Sequence, residues 1–296
     1  METRMFTGTY TAIVTPFKDG KVDEATFERL VKIQVKSGVD GIVPVGTTGE
    51  SATLDNAEHL RVIELAVKTA AGKIKVMAGT GANCTKEAIE LTCEAEKLGA
   101  DGSLQVAPYY NKPTQEGLFQ HFKAIAKETK LPLVLYSIPG RCGVEIGVET
   151  VRRLAAECRN IVGIKEAGGS CDRVSQLRAA CGPTFTILSG DDSLTLPFMS
   201  VGAEGVISVA SNIIPRIIAN MVRAFARGDV RTAQKLHGQY YPVFKDLFLE
   251  TNPIPVKAAL VMMGAIAEEY RLPMVPMSAA NREKLRNTLR GCSIIK

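Results

Sequence analysis

The chain has 296 residues, enough for two average domains or one large α/β barrel, and its 46% hydrophobic and 23% charged content is ordinary for a chain that buries a sizeable core. Its 36 basic and 31 acidic residues leave a scattered excess of +5 with no block of like charge, which argues against a nucleic-acid or membrane-surface partner. The 7 cysteines form no CxxC pair and only 3 histidines are present, which argues against a zinc site and fits the reduced thiols of a cytoplasmic protein. No apolar run reaches the ~18 residues of a membrane span, and Met1–Phe6 opens no apolar leader segment.

Short runs rich in Val, Ile and Leu recur along the chain, each closed by Gly, Pro, Asp or Asn. They are Tyr10–Phe17, Gly41–Gly46, Ile74–Gly81, Gly102–Tyr110, Leu131–Pro139, Ile161–Ala167, Thr184–Asp192 and Glu204–Ser211. Amphipathic segments lie between them. Phe27, Leu30, Val31 and Gln34 follow Asp23-Glu24, and Leu60, Ile63, Leu65 and Val67 follow Asp55 as an N-cap. Thr85 opens a third helix and Thr114 a fourth. Strand alternating with helix is the pattern of a parallel sheet, and eight such units with no GxGxxG turn after the first strand favour a closed barrel over an open sheet. After residue 228 the strand signals stop, and Val230–Glu250, Ile254–Glu269 and Ala279–Arg290 read as helices. The expected fold is α/β, a (β/α)8 TIM barrel over residues 1–228 with a C-terminal helical extension over 229–296.

In such a barrel the active site lies at the C-terminal ends of the strands. Lys165 stands out there, because an ammonium inside an apolar strand is costly and is driven toward the neutral, nucleophilic amine. The competing reading is a strand-ending lysine that snorkels to water. Alternation puts Gly163 on the same face as Lys165, leaving room for it, and turns Val162 and Ile164 toward the helices. On the neighbouring strand Tyr136 and Val134 share one face, so Tyr136 is either a proton-transfer partner or a core aromatic. Thr47-Thr48 either contact substrate or cap a turn. Tyr109-Tyr110 either serve the site or pack on a surface or oligomer contact.

Gly46-Thr47-Thr48-Gly49-Glu50, Tyr136-Ser137-Ile138-Pro139-Gly140-Arg141 and Gly163-Ile164-Lys165-Glu166-Ala167, in this order, resemble motifs of the pyruvate-dependent class I aldolase family, which includes the N-acetylneuraminate lyases. Arg141, Tyr109-Tyr110-Asn111, Ser189-Gly190-Asp191-Asp192 and Asn252–Lys257 resemble its synthase branch. The resemblance implies condensation of pyruvate with L-aspartate 4-semialdehyde to 4-hydroxy-tetrahydrodipicolinate, a step of lysine and diaminopimelate biosynthesis, with no metal or organic cofactor. It makes Lys165 the Schiff-base residue, and Thr48, Tyr136 and Tyr110 a hydroxyl relay, with Tyr110 donated by a neighbouring subunit of a homotetramer. Thr47 would contact the pyruvate carboxylate and Arg141 the semialdehyde, while Gly190 and Ile207 line the pocket through backbone groups. Ser51, Ala52, Leu54, His59, Asn83, Glu87 and Tyr109 match an inhibitory lysine site, with Asn56 a departure from some lysine-sensitive members. Cys142 departs from the usual threonine, either as a reactive thiol or as a small packed residue. The alternatives are a pyruvate-releasing aldolase of a 2-keto-3-deoxy sugar acid or N-acetylneuraminate, and a non-catalytic barrel scaffold.

Overall fold

The computed structural model describes residues 4–296; the start of the Met1–Phe6 stretch lies outside the described residues. Eight parallel strands close into one barrel. They are β1 (Gly8–Ala12), β2 (Gly41–Val43), β3 (Lys75–Gly79), β4 (Gly102–Val106), β5 (Leu133–Ser137), β6 (Ile161–Glu166), β7 (Thr186–Ser189) and β8 (Gly205–Ser208), each paired with the next and β8 with β1. Each overlaps one of the eight runs expected from the sequence, although β1 begins two residues before its run and ends at Ala12.

Four of the helices between them start where the sequence supplies a side-chain cap, Asp23, Asp55, Thr114 or Ser170. Asp23 accepts from the Thr26 amide at the start of α1 (Glu24–Ser37), which ends on Gly38 at φ 75. Asp55 and Glu58 close a capping box on α2 (Asn56–Ala70). Next come α3 (Thr85–Lys97), α4 (Gln115–Glu128), the single turn α5 (Pro139–Cys142), α6 (Val148–Glu157), α7 (Cys171–Cys181), α8 (Thr195–Ser200) and α9 (Pro215–Ala226). The extension holds α10 (Val230–Asp246), α11 (Ile254–Met262) and α12 (Ala279–Gly291). Two of these are shorter than expected. The α10 helix stops at Leu247, and α11 stops just before Gly264, whose φ of 67 suits a helix end and no helix interior.

A hairpin after β1 escaped the sequence reading. Phe17 pairs with Val22 and Lys18 with Lys21 around Asp19-Gly20, both at positive φ, which is the two-residue turn that an Asp-Gly pair favours.

Two apolar cores follow from the alternation of side chains. Leu133, Leu135, Ile161 and Ile164 join the layer between strands and helices, while Tyr10, Ala12, Val43, Met77, Leu104, Val134, Tyr136, Leu188 and Ile207 fill the barrel. The β6 strand breaks strict alternation. Leu133 pairs with Ile161 but Val134 pairs with Gly163, so Val162 is an extra residue in a bulge and packs against the interior cluster instead of facing the helices. Above the bulge the alternation resumes, with Ile164 outward and Lys165 inward.

Candidate active site

A cavity of about 310 Å³ opens at the C-terminal ends of the strands, lined by Thr47, Thr48, Tyr136, Arg141, Lys165 and Gly190 among others. Lys165 is 7% exposed, and its Nζ lies 4.0 Å from the centroid of the Tyr136 ring. Burial takes its ammonium down to about 7; Asp192 opposes the shift and Arg141 adds to it. About half the amine is therefore neutral at pH 7, on the order of a thousandfold more than for a solvated lysine. The snorkelling alternative fails on the burial.

The glycine that makes room for this lysine is not Gly163. A Cβ there would meet Thr186 of β7, at 2.6 Å from its carbonyl oxygen, so Gly163 serves strand packing. A Cβ on Gly190 would lie 3.1 Å from Lys165 Cε and 2.6 Å from Ala167 Cβ, so Gly190 clears the lysine's path. The Ile207 side chain belongs to the interior cluster, together with Ala12, Val43, Leu104 and Tyr136.

Burial holds the Tyr136 phenol well above its ordinary range, against the opposing effects of the Arg141 charge and the neighbouring Thr47 side chain. It stays protonated through neutral pH and can donate to a developing oxyanion. The hydroxyl beside Tyr136 is thus that of Thr47, where Thr48 was expected. Thr48 turns elsewhere: its Oγ1 accepts from Asn252 Nδ2 at 3.0 Å. The turn that exchanges the two threonines is tightly built. Val45 sits at φ 50, a strained conformation for a β-branched residue, and Ser51 and Gly49 donate to the Gly46 carbonyl. Thr15 Oγ1 holds the Gly49 carbonyl at 2.7 Å. Among the described residues no backbone carbonyl accepts from the Thr47 and Thr48 amides, which leaves two adjacent donors for a carboxylate.

Arg141, on α5 at the rim, donates through Nη2 to the Asn252 carbonyl at 3.1 Å and keeps other guanidinium donors for a ligand. Asp192 is buried, accepts from Ser208 Oγ and the amides of Val209 and Ala210, and is pushed up to about 6 by burial. Cys142 is the packed alternative: it is 2% exposed, and burial pushes its thiol up to about 11. Tyr110 is 90% exposed and does not line its own chain's cavity.

Of the residues matched to a lysine site, Ser51, Ala52 and Tyr109 line the same cavity. Asn83 Nδ2 donates to the Tyr109 carbonyl at 3.2 Å, and the Glu87 charge raises the Tyr109 phenol after burial. Leu54 packs on the core. His59 is buried, its Nε2 donating to the Gly79 carbonyl at 2.9 Å, so only Nδ1 remains for another partner.

The sequence reading missed the braces from the extension. Lys257 is 1% exposed and its Nζ lies 2.5 Å from Glu50 Oε1, with Phe17 and Tyr270 rings 4.5 and 4.9 Å from it. Asn252 lies five residues before it. The Asn252–Lys257 segment was visible as a motif, but no local signal connects it to a turn some 200 residues away.

The family model of the dihydrodipicolinate synthetase family matches residues 5–291. The chain belongs to that family. Among the family's named members, the 4-hydroxy-tetrahydrodipicolinate synthase of Thermodesulfovibrio yellowstonii is 54% identical over 292 residues, covering 99% of this chain and all of that protein. Among solved structures, the 4-hydroxy-tetrahydrodipicolinate synthase of Methylacidiphilum fumariolicum SolV superposes with a TM-score of 0.96 at 56% identity, covering 97% of this chain and 96% of that one. The family enzyme of Cyanidioschyzon merolae with lysine bound superposes with a TM-score of 0.96 at 43% identity, covering 99% of this chain and 100% of that one.

Proposed function

We propose that this chain condenses pyruvate with L-aspartate 4-semialdehyde through a Schiff base on Lys165, giving 4-hydroxy-tetrahydrodipicolinate for lysine and diaminopimelate biosynthesis. The observation that carries the reading is a buried Lys165 amine, brought down to about 7, against the protonated Tyr136 phenol in one cavity. The neutral amine adds to the keto carbon, and Tyr136 passes a proton to the carbinolamine oxygen, which leaves as water. The resulting iminium acidifies the pyruvate methyl, the Tyr136 phenolate left by the first transfer takes that proton, and the enamine carbon attacks the semialdehyde. Tyr136 protonates the new alkoxide. The substrate's amine then attacks the imine carbon and releases Lys165.

In this reading Thr47 continues the relay from Tyr136, and Thr48 with the two free amides holds the pyruvate carboxylate. Arg141 receives the second carboxylate, which a sugar-acid substrate would not supply in the same place. Tyr110, pointing away from its own cavity, completes the relay of a second copy in a homotetramer, and sedimentation of the purified protein tests that assembly. Residues 1–228 carry the reacting groups and 229–296 brace them. The cluster around Asn83, Glu87 and Tyr109, with Ser51, Ala52, Leu54 and His59, binds lysine as a feedback inhibitor; unchanged rates at millimolar lysine would remove this part. No helix of the described residues is long and apolar enough to cross a membrane, in keeping with a cytoplasmic role.

Borohydride reduction with pyruvate, followed by peptide mass analysis, tests the chemistry: an unmodified Lys165 would falsify the Schiff-base step. A coupled assay of the semialdehyde against N-acetylneuraminate and 2-keto-3-deoxygluconate tests the substrate.

A further inference from the structure

We infer that Asn252 is a positioning residue that fixes the direction of the Thr48 hydroxyl and ties it to Arg141. The inference rests on the functional reading above. Asn252 is 5% exposed and lines the cavity. Its side-chain Nδ2 donates to Thr48 Oγ1 at 3.0 Å, and its backbone carbonyl accepts from Arg141 Nη2 at 3.1 Å. One residue of the extension therefore touches both groups assigned to substrate carboxylates, across sequence separations of 204 and 111.

The chemistry of the contact is directional. A hydroxyl that accepts from an amide keeps its own proton for another acceptor. Thr48 is thereby set as a donor toward the cavity, the polarity a carboxylate ligand needs. The amide is held at a cost, because Asn252 Oδ1 is buried with no protein partner. A residue kept for packing alone would gain by losing that unpaired oxygen. The segment is also anchored a turn further on by the buried Lys257–Glu50 pair, so Asn252 has little freedom to leave Thr48.

The test compares Asn252→Ala with the isosteric Asn252→Asp. Alanine removes the donor, whereas aspartate turns it into an acceptor that takes the Thr48 proton and repels the substrate carboxylate. The expected result is a pyruvate KM raised about tenfold by alanine and further by aspartate, with the semialdehyde KM changed less. Aspartate milder than alanine, or losses that follow the melting temperature, would overturn the assignment in favour of a packing role. Should Asn252→Asp not fold, a cycle decides: Asn252→Ala must lose most of its effect on pyruvate KM in a Thr48→Val background, and an undiminished effect refutes the coupling. Wild-type protein is trapped with pyruvate in parallel. Failure there removes the functional reading itself, while wild-type trapping beside an Asn252→Ala protein of unchanged pyruvate KM removes only Asn252.

Discussion

Replacing Lys165 by methionine should make the protein more stable at neutral pH, by an amount that depends on pH in a defined way. Methionine keeps much of the length and apolar contact of the lysine stem and removes the charge. Above about pH 10.5 the lysine is neutral in both folded and unfolded chains, and the two proteins differ only by packing. As pH falls below that, the unfolded chain takes up a proton that the folded chain refuses, because burial has brought Lys165 down to about 7. Wild type thus loses about 1.4 kcal/mol of stability per pH unit relative to the variant, until the folded lysine also protonates. The full loss is about 5 kcal/mol, reached near pH 7 and constant below it. Urea unfolding of both proteins at about pH 7.5, 8.5 and 9.5 reads the difference, since Asp192, the carboxylate coupled to Lys165, stays ionised across that range and uncoupled groups cancel. A stability difference that is the same at all three pH values would refute the burial argument, and with it the origin of the reactive amine.

Three further outcomes follow from the same geometry. Gly190→Ala puts a methyl 2.6 Å from Ala167 Cβ and 3.1 Å from Lys165 Cε, so it should cost roughly 1–3 kcal/mol and slow trapping by pyruvate, with melting and mass analysis as the checks. Lys257→Met leaves the buried Glu50 carboxylate unpaired and should destabilise by roughly 3–5 kcal/mol; a second change, Glu50→Gln, should restore most of it in urea titrations. Arg141→Met should raise the semialdehyde KM at least about tenfold. Because the Arg141 charge helps to lower Lys165, the same change should move the trapping midpoint above about 7, and a midpoint moving down would contradict the electrostatics.

The barrel was legible because its strands are buried on both faces and read as apolar runs ended by Gly, Pro and Asp, while Asp23 and Asp55 announce the helices between them. Alternation placed Tyr136 and Val134 correctly on β5. It failed at Val162, since a bulge depends on pairing with β5 and leaves no mark in the strand's own composition. The Asp19-Gly20 hairpin was written in the sequence and went unread. Choosing between Thr47 and Thr48 was beyond sequence reasoning, because adjacent residues of one type are separated only by the turn, and the turn is set by the Val45 backbone and by Asn252 from the far end of the chain. Gly190 was picked out by resemblance, but its reason, the path of the Lys165 stem, needed coordinates.

The Lys257–Glu50 contact spans 207 residues of sequence, and that bears on the order in which the chain is made. Synthesis from the N-terminus delivers all eight strands, Lys165 and Tyr136 before Asn252 and Lys257 leave the ribosome. A nascent chain ending near residue 228 holds Lys165, Tyr136, Thr48 and Arg141, yet Glu50 lacks Lys257, Thr48 lacks its amide donor, and Arg141 lacks the Asn252 carbonyl. The strands of the barrel are synthesised well before the groups that brace its rim, and those contacts can form only once the last quarter of the chain docks.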